Sequence, residues 1–488
     1  MSRFNDATLN RAKTARTPNT VNLAGGDAFA QDAELELASL VTTSMTMDQF
    51  YRSADQGLAR MRELVTAVDP VYAAKAAVYT RQKDGLRSIS HAVAGEIAHN
   101  VKGEKWTKDF YRAVVRRPDD VTEILAYYLS NYGKPVPNSL KKGLGASFAK
   151  FDAYQLAKYR GENDGLSLVD AVRLIRPRPT ERNATALAQL IAGTLRSTGT
   201  WEAKVSAAGS AENVEEAKQE AWAELLEKGT IGYLALLRNL RNIAAQAPGL
   251  VGRACELLTD QERVEKSLVL PFQFMIARHE LDGNPVLVRA LSEAVDLSLA
   301  NIPDLGERVL VAVDGSGSMA APVAGNALLT RKGVGSLFAA ALYKRNLADV
   351  IVFGSTAGPV SGLNPTDSTL TIADRIFEAC YGHSTNFHTI FSAAKRGHDT
   401  IVIFSDMQAW VTQYGYGNTP ARAFQEYKGR WNASPKVFAF DLAGYGTSQF
   451  PEKDVYQLAG FSDKSLALMS QYRTDPRAIV TAIKAIEF

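Results

Sequence analysis

Only two cysteines, Cys255 and Cys380, occur in 488 residues. A single pair builds no disulfide framework and supplies no thiolate metal site of its own, so a reducing, cytoplasmic location is expected. Apolar runs are short, and none reaches the roughly 18 residues of a membrane span. The opening MSRFNDATLNRAKTARTPNT lacks the apolar centre of a signal peptide. No membrane association and no export are therefore expected. Histidine is scarce too, with six residues. His383 and His388 are five apart in HSTNFH, whereas a zinc pair on one helix needs a spacing of about three or four. His91 and His99 fall in helical segments and read as packed or solvated. The glycines of VDGSGSM are not followed by Gly-Lys-Ser/Thr, which excludes a phosphate loop, and they do not complete G-x-S-x-G. No histidine stands where it would activate Ser316 or Ser318, so the chain is not expected to be an enzyme.

What is present is ordinary in amount and uneven in placement. Hydrophobic content is 46% and net charge +3, enough apolar material for a real core and two or three domains. Between Arg81 and Arg178 there are 18 Lys+Arg against 11 Asp+Glu, while Trp201 to Ala300 holds 10 against 15. A basic surface beside an acidic one suits an anionic partner, or a merely solvated helical face.

Residues 1–25 are polar and read as a flexible N-terminal arm. Residues 26–300 are helical in pattern: in DQFYRSADQGLARMRELVTAV, Phe50, Leu58, Met61 and Val65 recur in three- and four-residue steps. Many short helices of this kind, separated by VDP, GKPVPNS and RPRPTERN, predict a diverged helical-repeat array. From 301 to 488 the pattern changes. Apolar β-branched runs at 308–313, 349–353, 400–404 and 436–440 alternate with helical segments. That alternation predicts a doubly wound α/β domain with a mostly parallel sheet, whose ligands sit beyond the carboxyl ends of its strands.

The first of those strands ends in RVLVAVDGSGSMAAP, and the oxygen cluster there has a use. Asp314, Ser316 and Ser318 follow the strand, Asp406 closes TIVIFSD, and Thr385 lies in YGHSTNF. Two carboxylates and three hydroxyls form a hard-oxygen set of the kind Mg²⁺, or another divalent cation, prefers. A polar turn capping the next helix is the alternative. The DGSGSM spacing, with a later Thr and a second strand-terminal Asp, resembles the metal-ion-dependent adhesion site of von Willebrand factor A domains. The resemblance implies a bound cation whose open position takes a partner's carboxylate.

The helical half carries a second resemblance. LKKGLGASFAKFDAYQLAKYRGENDGLSLVDAVRLIRPRP at 140–179, TWEAKVSAAGS at 200–210, LLRNLRNI at 236–243 and LPFQFMIARH at 270–279 are similar to the TROVE module in content and order. A TROVE module followed by an A-type domain is the arrangement of the Ro autoantigen family and its bacterial and phage members. The resemblance implies a HEAT-like helical ring closed by the A-type domain, acting as a monomer. It also implies binding of small noncoding Y RNA on an outer basic surface and of single-stranded 3′ ends of misfolded RNAs in the hole. A 3′-exoribonuclease, polynucleotide phosphorylase, is the further partner it implies.

The basic residues agree with an RNA partner. Lys158 and Arg160 flank Tyr159, Arg173, Arg176 and Arg178 crowd VRLIRPRP, and Lys141, Lys142 and Lys150 precede them. Arg173 and Arg176, three apart, are expected on one helix face, suited to phosphate contacts. In the family the RNA contacts fall on the lysine matched by Lys158 and on a histidine where this chain has Arg176, a departure that keeps a cation. Arg238 and Arg241 either line the ring or pair with nearby glutamates. The reading from a different class is a protein-interaction module that captures a partner's carboxylate through the metal.

Overall fold

The computed structural model describes residues 18–44, 49, 51–160, 165–196, 201–267, 269–281, 283–299, 302–323, 326–382, 384–409, 420–452, 454–460 and 463–488. They form two compact units with interleaved segments. One holds the described residues up to Gly57 with Leu270–Ile276 and Val295–Thr481; the other holds Leu58–Val269, Ala277–Ala294 and Ala482–Phe488.

The first unit is α/β. Its strands are β1 (Thr20–Val21), β2 (Asp27–Ala30), β3 (Val309–Asp314), β4 (Pro322–Val323), β5 (Asn326–Thr330), β6 (Asp349–Phe353), β7 (Ala357–Pro359), β8 (Thr400–Ser405), β9 (Lys436–Asp441), β10 (Thr447–Ser448) and β11 (Val455–Ala459). The main sheet has the order β11-β9-β8-β3-β6-β7, parallel except for β7, which runs against β6. Every residue of β3 and β8 is buried, which is why these strands are apolar without alternation. Helices Arg331–Asn346, Thr369–Ala379, His388–Ala393 and Pro420–Trp431 connect the strands, where the sequence pattern places them. On one face Phe391 packs its ring on Phe424, Tyr427 and Phe450 at 5.1, 6.0 and 5.6 Å; emptying such a site costs about 3–5 kcal/mol.

The reading of residues 1–25 as a flexible arm needs correction. Residues 1–17 lie outside the described residues, but 18–25 belong to the β1–β2 hairpin, and β2 continues antiparallel onto β10. Asn22 is buried and donates to the Ala409 carbonyl at 2.9 Å, while its own side-chain oxygen accepts the Ala24 and Gly26 N–H groups. Helix Ala33–Thr43, expected in the helical domain, also belongs to the α/β unit. Conversely the last residues leave that unit: the Phe488 ring lies 5.9 Å from Trp106 and 5.8 Å from Phe110.

The second unit is helical throughout its described residues, and neighbouring helices such as Ser88–Asn100 with Pro118–Tyr132 and Thr107–Val114 with Asn138–Ser147 pack side by side. Proline at the first turn starts Pro70–Tyr79 and Pro118–Tyr132, where its missing N–H costs nothing. The unit is pinned inside by Asp120, fully buried, which accepts from Arg81 at 2.9 Å, from His91 at 3.0 Å and from the Arg116 and Arg117 N–H groups at 2.8 and 2.9 Å. Burial works against its charge, but the His91 hydrogen bond, the Arg81 charge and the backbone donors hold its pKa well below the usual carboxylate range. Among the described residues no helix is long and apolar enough to cross a membrane.

Candidate metal centre and nucleic-acid interface

From β3 the chain passes to β6 and β7 on one side, and β8, β9 and β11 lie on the other. The carboxyl ends of β3 and β8 therefore form the switch point where open α/β sheets bind ligands. Asp314 is the last residue of β3 and Asp406 follows β8, and both are fully buried. Asp314 Oδ1 accepts the Ser316 N–H at 2.8 Å and Oδ2 accepts the Ser405 hydroxyl at 2.6 Å. The Ser316 and Ser318 hydroxyls are 3.3 Å apart, and Asp406 Oδ1 accepts the Gln408 N–H at 3.2 Å. Thr385, also buried, reaches this edge on a loop tied to the end of β6 by the Asn386 N–H, which donates to Gly354 at 3.1 Å. Gly315 sits where that loop passes closest; a Cβ there would lie 3.2 Å from the Cys380 Cα.

The charges at this edge are out of balance. Burial and the Asp406 charge push Asp314 up to about 7. Burial also raises Asp406, against the nearby Ser318 hydroxyl and the Arg331 charge. A third buried carboxylate, Asp441, rises to about 6 for the same first reason, although the Ala443 and Gly444 N–H groups oppose it. Asp406 Oδ2 is buried with no hydrogen-bond partner. Unmatched negative charge, an orphaned carboxylate oxygen and clustered hydroxyls are what a hard divalent cation satisfies, so the residues fit one. Among the described residues no three His, Cys, Asp and Glu side chains make a metal group; a cation here would rest on two carboxylates and hydroxyls. His383 lies outside the described residues.

The basic residues divide into two sets. Lys141 and Lys142 of helix Asn138–Ser147 and Arg173, Arg176 and Arg178 line one concavity of about 920 Å³, together with Lys108 and Arg112 of the neighbouring helix. Among the described residues no Asp or Glu lines it. The face expected for Arg173 and Arg176 arises differently from the sequence reading. Arg173 is in the last turn of Leu168–Ile175, but Arg176 has left the helix with φ of 54° and donates its N–H to Val172 at 2.8 Å. Pro177 disfavours a helical residue before it, and this turn carries Arg176 into the concavity instead. Lys158 and Arg160 lie outside it. The Arg160 guanidinium donates to the Leu195 carbonyl at 2.8 Å, and the Lys158 ammonium stands 5.8 Å from the Tyr159 ring, whose face Arg117 also covers at 4.3 Å. Lys150 is exposed along its length, yet its ammonium turns in to the carbonyls of Arg112 and Val115, and desolvation of that end with the Arg112 charge lowers it to about 8. Arg241 pairs with Glu280.

Comparison with known families decides what this pairing of units is. A TROVE domain matches residues 34–198 and 192–293, and a Ro60 vWA domain matches 308–473. The chain belongs to the TROVE family.

As a TROVE protein with a Ro60-type vWA domain, it is similar to the RNA-binding protein RO60 of Deinococcus radiodurans, 24% identical over 95% of this chain and 97% of that protein. It is also similar to telomerase protein component 1 of Rattus norvegicus, 22% identical over 52% of this chain, and there it spans 13% of the relative's length. The crystal structure of the Deinococcus radiodurans RO (RSR) protein shares the fold with a TM-score of 0.58 and 21% identity, covering 92% of this chain and 99% of that one.

Several residues of the two candidate sites escape motif reading. Lys108 and Arg112 come from a separate helix, and only the preponderance of cations over 81–178 hints at them. Ser405 and Arg331 belong to no DxSxS pattern. Arg331, buried beside Asp406, donates its Nε–H to the Leu442 carbonyl at 3.3 Å.

Proposed function

We propose that this chain is an RNA-binding scaffold of the Ro type, with no catalytic step of its own. The observation that supports it best is the concavity walled by Lys108, Arg112, Lys141, Lys142, Arg173, Arg176 and Arg178, with no carboxylate among the described residues that line it. Cations on helices and on the turn that follows one of them, spaced around a groove, contact successive phosphates and give sequence-independent affinity. Small structured RNA of the Y type is the cargo proposed for this surface, and single-stranded 3′ ends of misfolded RNAs are a second class. Recruitment of a 3′-exoribonuclease such as polynucleotide phosphorylase would then serve RNA quality control in the cytoplasm. The likeness to an RNA-binding relative along almost its whole length supports the same reading.

The site of Asp314, Ser316, Ser318, Thr385 and Asp406 is proposed to hold Mg²⁺, with both carboxylates and the hydroxyls as ligands or as holders of its waters. The second reading, capture of a partner's carboxylate, rests on this site and on the orphaned Asp406 oxygen. Fluorescence anisotropy of a short duplex RNA with a 3′ tail, titrated at several salt concentrations, separates the two. Affinity falling with salt at a slope of about −0.9 per phosphate contacted places RNA on the basic surface. No RNA binding at any salt sinks the proposal and leaves carboxylate capture.

A further inference from the structure

The turn that carries Asp406 past the end of β8 is held by a segment 387 residues away along the chain. Met407 has φ of 57°, in the left-handed region, where a methionine stays only when its surroundings over-determine the turn. Its N–H donates to the Ser405 hydroxyl at 3.0 Å, and its carbonyl accepts from the Gln449 side chain at 2.6 Å. Gln408, buried, then works in two directions. Its N–H donates to Asp406 Oδ1 at 3.2 Å, which leaves Oδ2 as the oxygen with no hydrogen-bond partner among the described residues. Its side-chain oxygen accepts the Leu23 N–H at 2.7 Å, and its side-chain amide donates to the Thr447 hydroxyl at 3.1 Å. Leu23 lies in the turn of the β1–β2 hairpin, and Thr447 lies in β10, the strand that β2 pairs with. One residue further, the Ala409 carbonyl accepts from Asn22 at 2.9 Å. The same carbonyl oxygen would stand 2.2 Å from a Cβ at Gly26, whose φ is outside the left-handed region, so close approach alone demands glycine there.

We propose that the β1–β2 hairpin is the latch of the cation site: Asn22, Leu23 and Gly26 position Asp406 through Gln408, so that cation binding depends on a segment far outside the run of strands from β3 onward. The proposal rests on the reading of the site as a divalent-cation centre. The hairpin residues are positioning residues and touch no cation. Asp314 is fixed independently, by the Ser405 hydroxyl and the Ser316 N–H. Asp406 has no such clamp of its own strand; its orientation depends on a turn that Met407 disfavours, with Gln408 tying that turn to the hairpin. Releasing the hairpin therefore frees one carboxylate of the two and leaves the other in place. The coupling is reciprocal by linkage, so a bound cation tightens the hairpin by as much as the hairpin tightens the cation.

Two measurements on the full-length protein test this. In isothermal titration with Mg²⁺, Gly26→Ala and Asn22→Ala should each weaken binding by about tenfold, as loss of an outer partner does. Asn19→Ala is the control. The Asn19 side chain accepts the Ala30 N–H at 2.9 Å at the open end of the same hairpin, and its removal should leave Mg²⁺ affinity unchanged. The second measurement is hydrogen exchange at the Leu23 and Gly26 N–H groups. Mg²⁺ should slow it several-fold in the wild type and leave it unaltered in Asp314→Ala. This readout needs no hairpin variant, so it decides the question for a Gly26 or Asn22 variant that fails to fold. Unchanged Mg²⁺ affinity in folded Gly26→Ala and Asn22→Ala, an equal loss in Asn19→Ala, or hairpin exchange indifferent to Mg²⁺ would overturn the latch while leaving the cation site standing. No Mg²⁺ binding in the wild type would overturn both.

Discussion

Ser405 ends β8 beside Asp314 at the end of β3, and its hydroxyl donates to the Asp314 carboxylate at 2.6 Å. With the Ser316 N–H on the other oxygen, the carboxylate is clamped in one orientation before any cation arrives. Outer partners of this kind typically govern about 10–100-fold in metal affinity. Ser405→Ala should therefore weaken Mg²⁺ binding by roughly tenfold, and Asp314→Ala should abolish it, both read by isothermal titration. Saturating Mg²⁺, at about 100 times its Kd, should stabilise the wild type by ~2.7 kcal/mol and leave Asp314→Ala unmoved in thermal denaturation. Equal stabilisation of the two proteins would place the cation elsewhere.

Asp120 carries a prediction about pH. Its folded pKa is depressed, so its contribution to stability is present above the unfolded value near 4 and is lost as pH falls below it. Asp120→Asn leaves Arg81 and its neighbours buried without their counter-charge and should cost about 3–5 kcal/mol at pH 7. In urea denaturation the gap between variant and wild type should narrow as pH drops below about 4. A gap that stays constant down to pH 3 would contradict the ion cluster.

Two lysines on adjoining elements should behave oppositely. Lys150→Met removes the donor to the carbonyls of Arg112 and Val115 and should destabilise the fold by about 1–3 kcal/mol while leaving RNA affinity in place. Lys142→Met, on the wall of the concavity, should leave stability within ~0.5 kcal/mol and lower the salt slope of RNA binding by about one contact. Chemical denaturation and anisotropy on both variants read the pair. A reversed pattern would mean that Lys150 is the phosphate contact.

Arg176 sits in the left-handed region, which favours glycine. Arg176→Gly should thus stabilise the helical unit by roughly 0.5–1 kcal/mol while weakening RNA binding. A loss of both stability and affinity would show that the guanidinium also holds the fold.

Much of this was legible in the sequence, and the gaps have physical causes. The buried parallel strands read directly because their β-branched runs do not alternate, and Asp314 and Asp406 followed from strand ends alone. The β1–β2 hairpin did not read, since its place depends on β2 meeting β10, a pairing more than 400 residues apart along the chain that no local pattern encodes. Arg176 was misplaced on the helix although Pro177 after it argued for a break. Lys108 and Arg112 join the basic wall only through packing of helix Thr107–Val114 on Asn138–Ser147.

The most direct measurement of the RNA-binding account compares two double variants of equal net charge. Lys141→Glu with Arg173→Glu reverses charge inside the concavity; Lys228→Glu with Lys266→Glu reverses it on exposed lysines outside. With a tailed duplex RNA at fixed salt, the first pair should bind at least about tenfold more weakly, the equivalent of 1.4 kcal/mol, and the second should match the wild type. Equal loss in both variants would mean that RNA responds to overall charge alone, and the concavity would not be its site.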